Sequence, residues 1–146
     1  ISKDKFYETC KNYEDNRIIF FIKKYNQPKA TKKLYCYNHS FVNAISHTKK
    51  FKNEFTNMVF LELNNKFNEV YYLDNIDFYL PHESTIILSI PFFNDFLLNA
   101  ITKKLLTVIA HLDILNVTIV TIGNSKSFYL EEIEVQVLPF YEWALG

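Results

Sequence analysis

Only two cysteines, Cys10 and Cys36, occur in 146 residues. Two thiols make no disulfide framework for a chain of this length, and neither a C-x-x-C spacing nor a Cys/His cluster points to zinc. Both read as buried thiols. No apolar run approaches the roughly 20 residues that a membrane-spanning helix needs, and no cationic leader precedes a small-residue cleavage site. A soluble, cytoplasmic domain without a membrane partner is the expectation. An excess of charge is also lacking: 16 Lys and Arg stand against 16 Asp and Glu. Nothing in that balance argues for nucleic acid or an acidic membrane as a direct partner. Repeats, low-complexity tracts and interdomain linkers are absent, and glycine is used only twice, a scarcity that bears on one motif below.

What is present is core material. The chain is 49% hydrophobic and 17% aromatic, which excludes a disordered segment and suits one domain over residues 1–146. It opens on Ile1 and has a single methionine, Met58, so an excised portion of a longer protein is expected. Residues 1–30 read as an N-terminal helical segment, with Phe6, Cys10, Tyr13, Ile18, Ile19, Ile22 and Tyr25 at helical spacing, Ser2 as cap and Pro28 as stop. Residues 31–146 read as an α/β core. Its first strand is Leu34-Tyr35-Cys36-Tyr37, and a helix runs from Ser40 to about Phe55. Met58 to Leu63 reads as a second strand, while Val70 to Leu73 is compatible with strand or helix. Thr85 to Ile90 is a further strand, followed by a helix capped by Asn94-Asp95 and ending near Asn116. Val117 to Ile122 is a strand, Phe128-Tyr129-Leu130 a helical turn, and Val135 to Leu138 the last strand. Strands alternating with helices predict a three-layer αβα sandwich on a mostly parallel sheet of about five strands, with N-terminal helices.

Two of these strands deliver a serine, Ser40 and Ser89, to the start of the next segment. In open α/β sheets, ligands lie beyond the carboxyl ends of the strands, where backbone N–H groups and helix dipoles favour anions. Asn38, His39, Ser40, Ser89 and Asn94 are therefore the candidate effector-binding residues. Ser40 and Asn94 read equally well as plain helix caps, and His39 as a solvated loop side chain. His47, His82 and His111 are scattered with no acid at ligand spacing, so no metal and no cofactor are expected. Glu131-Glu132 reads as a solvated face, and no catalytic residue is assigned.

The order of elements and the residues at the turns resemble the SIS (sugar isomerase) domain, especially as it forms the C-terminal half of RpiR-type transcriptional regulators. The resemblance covers about residues 32–138. In the turn Cys36-Tyr37-Asn38-His39-Ser40-Phe41-Val42-Asn43-Ala44, Ser40 and Ala44 match the family pattern, whereas Cys36 and Asn38 replace its glycines. In Ser89-Ile90-Pro91-Phe92-Phe93-Asn94, Ser89 matches; Pro91 and Phe92 remove one hydroxyl and one backbone donor. The resemblance implies that these turns hold a phosphosugar or related carbohydrate derivative in the effector-sensing domain of a regulator. DNA would be contacted only through a helix-turn-helix part outside this chain. A homodimer is expected, because the stripe Phe6, Tyr13, Ile19, Ile22 and Tyr25 exceeds what one small core hides. Two rivals are an SIS-type sugar-phosphate isomerase and a phosphocarrier domain using Cys36. Both are set below a module that is not an enzyme.

Overall fold

The computed structural model describes residues 2–38 and 51–146. Helix α1 (Lys3–Asp15) starts where the Ser2 hydroxyl accepts the Lys5 N–H at 3.2 Å, and none of its residues is buried. Helix ends here rather than near Pro28. Arg17 turns the chain at φ 57°, and Ile19–Ile22 forms strand β1. Ile19 and Ile22 are its two buried ends. This strand pairs antiparallel with β2 (Lys33–Cys36), Ile19 opposite Cys36 and Ile22 opposite Lys33. The strand expected to open the main sheet thus lies in a separate two-stranded ribbon. Apolar alternation makes a strand but does not name its partner.

The run Met58 to Leu63, expected as a strand, lies inside helix α2 (Phe51–Lys66). Phe55, Val59, Phe60 and Leu63 are its buried apolar positions, at successive spacings of four, one and three that line one helical face. The helix expected from Ser40 falls mostly outside the described residues. The ambiguous stretch that follows resolves into strands β3 (Tyr71–Leu73) and β4 (Ile76–Leu80), joined by Asp74-Asn75 with Asn75 at φ 61°. A 3-10 turn at Pro81–Glu83 leads to β5 (Thr85–Ser89). A second 3-10 turn, Asp95–Leu97, opens helix α3 (Leu98–Ile109), shorter than expected. Strand β6 (Asn116–Thr121) follows as expected.

Phe128 to Leu130, expected as a helical turn, belongs to strand β7 (Lys126–Leu130). Phe128 and Leu130 turn inward while Ser127 and Tyr129 are exposed, a period of two rather than 3.6. A tight turn with Glu131 at φ 54° returns the chain as β8 (Ile133–Pro139), and helix α4 (Phe140–Leu145) closes it.

The main sheet is mixed and six-stranded, in the order β3-β4-β5-β6-β8-β7. Only the β5–β6 and β6–β8 pairs are parallel; the β3–β4, β4–β5 and β7–β8 pairs are antiparallel. Fold class is therefore mixed α/β, with one more strand and a less parallel sheet than expected. The backbone of Lys23 to Tyr25 straps the outer edge of β3: Tyr25 N–H donates to Tyr72 O at 3.0 Å, and Tyr72 N–H to Lys23 O at 3.1 Å. Successive strand residues serve opposite faces. Ile86 and Leu88 of β5 pack with Ile101 and Leu105 of α3, whereas Ile87 between them packs with Phe55, Val59, Phe60 and Leu63 of α2. Phe20 and Tyr35 from the ribbon join the second cluster.

Among the described residues, left-handed backbone falls on Arg17, Asn26, Asn75, Ser84 and Glu131 and on neither glycine.

Candidate functional site

The site grows from the place where β4 and β5 part. Their ladder pairs Leu80 with Thr85, Tyr79 with Ile86 and Phe78 with Ile87. Beyond it, the Asp77 carboxylate replaces the missing backbone partner and accepts the Ser89 N–H at 2.8 Å. On the α2 side, the Ser89 and Thr56 hydroxyl oxygens lie 2.9 Å apart, and Thr56 donates to Lys52 O at 2.8 Å. A threonine has one hydroxyl proton, so Ser89 is the donor between the two. One residue on, Asn57 clamps β2 from both sides. Its Oδ1 accepts the Cys36 N–H and its Nδ2 donates to Cys36 O, each at 2.8 Å.

Lys33, Tyr35, Lys52, Thr56, Asn57 and Asp77 line a cleft of about 530 Å³ between the ribbon, α2 and the sheet. Two lysines against one carboxylate leave it net positive. Burial pushes the Lys33 pKa down; Asp77 pulls it back up and Lys52 adds to the lowering. Its ammonium also stands 4.6 Å from the centroid of the Tyr72 ring. Burial, and then the Asp77 carboxylate, hold the Tyr35 phenol well above its ordinary 10.0.

Those shifts have opposite consequences at alkaline pH. Above 10 the unfolded chain loses the Tyr35 proton while the folded chain keeps it, so stability falls as pH rises. Lys33, depressed in the folded state, adds stability as pH climbs toward its ordinary 10.5 and gives no further change above it. Tyr35→Phe is therefore expected to flatten the loss of stability above pH 10 without changing the slope near neutrality. Urea unfolding followed at pH 7 to 11 measures it; parallel curves for the two proteins would contradict the assignment.

Of the expected effector residues, Ser89 lies at this cluster but is fully buried, with both its N–H and its hydroxyl engaged. Asn94 serves the other face of the sheet, where its Oδ1 accepts the Phe96 N–H at 3.0 Å ahead of α3. Asn38 is exposed just past β2, and His39 and Ser40 lie outside the described residues. The turn after β5 is tied to β6 and the loop that follows it. Ile90 N–H donates to Val120 O, Pro91 has no N–H, Ile122 N–H donates to Pro91 O, and the Asn124 amide donates to Phe93 O. A carboxylate already occupies the donor that a phosphate would meet at Ser89, so the expected cradle between Ser89 and Asn94 is not formed by these groups.

The residues that do line the cleft were missed by motif reading. A different signal was present. Thr56-Asn57 interrupts the buried run between Phe55 and Val59, and Asp77 sits between Ile76 and Phe78. Polar groups inside apolar runs need partners, and partners gather into sites.

Cys36 is 1% exposed, and burial pushes its thiol pKa up. A phosphoryl-accepting cysteine needs the reverse. Brief iodoacetamide treatment of the folded protein is expected to modify Cys10, which is only half-buried, and to reach Cys36 only after unfolding. Mass spectrometry of the digested protein reads both sites, and early labelling of Cys36 would refute the buried assignment.

No protein-family model matches the chain, and neither curated proteins nor solved structures yield a match. Among the described residues, no group of three His, Cys, Asp or Glu side chains is placed to hold a metal, and no helix is long and apolar enough to cross a membrane.

Proposed function

We propose that this chain is a ligand-sensing module that binds without catalysing, and that its effector is a hydroxylated small molecule with a single anionic group, a sugar acid or sugar phosphate. One observation carries this reading: the cleft at the end of β5 presents two lysines while its carboxylate accepts the Ser89 backbone N–H and its two hydroxyls are bonded to each other. Lysines meet an anion, and the Ser89 and Thr56 hydroxyls, each already donating to a neighbour, are not free nucleophiles. Asp77 makes the cleft a poor host for polyanions. The finer reading, a three-layer SIS-like arrangement in the sensing and dimerising half of an RpiR-type regulator, draws support from the order β5, α3, β6 with its parallel β5–β6 pair and from the matches at Ser40, Ala44 and Ser89. Balanced charge supports a reading in which DNA is contacted by another part of such a regulator. The exposed Phe6 and Tyr7 on α1 offer a surface for a homodimer.

Gluconate, glucose 6-phosphate and N-acetylglucosamine 6-phosphate form the test panel, with Lys33→Met and Lys52→Met as variants. A ligand at tenfold its Kd adds about 1.4 kcal/mol, or roughly 4 °C in Tm for a chain of this size. At least one compound is expected to raise the Tm of the wild type and to lose most of that effect in both variants. Equal shifts in wild type and variants, or no shift with any compound, would overturn the reading.

A further inference from the structure

On the opposite face of the sheet lies a second concavity, and we infer that it is a binding site for a small amphiphilic anion, a carboxylate carried on an aryl or medium-chain acyl body. It occupies about 410 Å³ between the second half of α3, the Asp74-Asn75 turn and the strap at residues 24–27. That volume is within the range of small-molecule sites. This inference stands independently of the cleft at β5.

The floor is apolar. Tyr25, Leu73, Val108 and Leu112 line it, and all four are half-buried hydrophobics packed against the core cluster that holds Ile101 and Leu105. The floor is also held in place. Tyr25 meets Tyr79 edge-on at 4.8 Å and Tyr71 at 5.5 Å, and its backbone is bonded to Tyr72. An apolar ligand body would therefore remove a pre-formed surface from water.

The mouth is basic. Lys103 and Lys104 stand one turn before Val108 on α3, and Lys24 faces them from the strap. Lys24 is a largely buried lysine, its side chain 14% exposed, and it reaches Asp74 at 2.8 Å. Because Asp74 neutralises Lys24, the charge left for a ligand resides on Lys103 and Lys104. One carboxylate is matched there; a polyphosphate would meet Asp74 and is disfavoured. The apolar floor likewise disfavours a bare sugar, which separates this site chemically from the first. The occupant is thus a monoanion with an apolar tail.

Octanoate is the probe, titrated calorimetrically into the full chain and used to displace the fluorescent aryl sulfonate 8-anilinonaphthalene-1-sulfonate. Octanol serves as the uncharged control. Octanoate is expected to bind at one site and to displace the dye, with octanol at least tenfold weaker. The double variant Lys103→Glu with Lys104→Glu alters exposed positions only and is expected to weaken octanoate at least tenfold. Thr107→Trp, also exposed and at the mouth, is expected to block both ligands sterically. Lys33→Met, in the other cleft, is expected to bind octanoate like the wild type. Absence of octanoate binding, equal affinity for octanol, wild-type affinity in both α3 variants, or loss of binding in Lys33→Met would each overturn the inference.

Discussion

Truncating Phe60 to alanine is expected to lower folding stability by about 4 kcal/mol, the cost of a fully buried phenylalanine whose site cannot collapse. Phe60 is 1% exposed and stands where three elements meet. Its ring stacks on Tyr35 of β2 at 4.4 Å and lies 5.6 Å from Phe20 of β1 and 6.2 Å from Phe78 of β4. Removing it leaves a hole bounded by aromatic rings anchored in different strands, and rigid rings refill space poorly. Phe60→Leu, which keeps most of the volume, is expected to lose less than half as much. Equilibrium urea unfolding gives both values. A loss under about 2 kcal/mol for the alanine variant would show that the ribbon closes onto the sheet without this ring.

Asn57→Ala is the second large effect, expected at about 3 kcal/mol although it removes no apolar surface. The side chain is 1% exposed and satisfies both backbone groups of buried Cys36. Each buried backbone group left without a partner costs about 1–3 kcal/mol. Asn57→Asp keeps the acceptor for the Cys36 N–H but sets an anion against the Cys36 carbonyl, so it is expected to do no better. Urea unfolding gives the total, and hydrogen exchange at the Cys36 amide gives its location. An alanine variant within 1 kcal/mol of wild type would mean that water enters and replaces the amide.

How far the fold could be read depends on which property a segment's residues encode. β5 and β6 were legible because Ile86 to Leu88 and Val117 to Val120 are near-continuous apolar runs between turn residues, the mark of strands covered on both faces, and β8 because buried Val135 and Val137 alternate with exposed Glu134 and Gln136. Asn94 was legible as a cap, because a short polar side chain before an amphipathic run has few other local uses. The 58–63 run was not, since six apolar-rich residues satisfy a buried strand and one face of a helix alike. β2 was found and misplaced: its sequence fits any pleated partner, and the decisive contact, Asn57 on Cys36, spans 21 positions. The cleft was least legible of all. Lys33 and Asp77 are 44 positions apart, and only the divergence of β4 from β5 turns an unremarkable aspartate into the acceptor for Ser89.

The left-handed residues among those described have a consequence for how this protein can change. Arg17 and Glu131 hold φ near 55° with side chains that disfavour it, whereas asparagine tolerates such angles. Its core is already full of close-packed aromatic rings, leaving little to add there. Gains in thermal tolerance are therefore most accessible at the periphery, where a glycine at either turn relieves backbone crowding without disturbing a single interior contact. A chain so poor in glycine keeps its adaptive reserve in its loops.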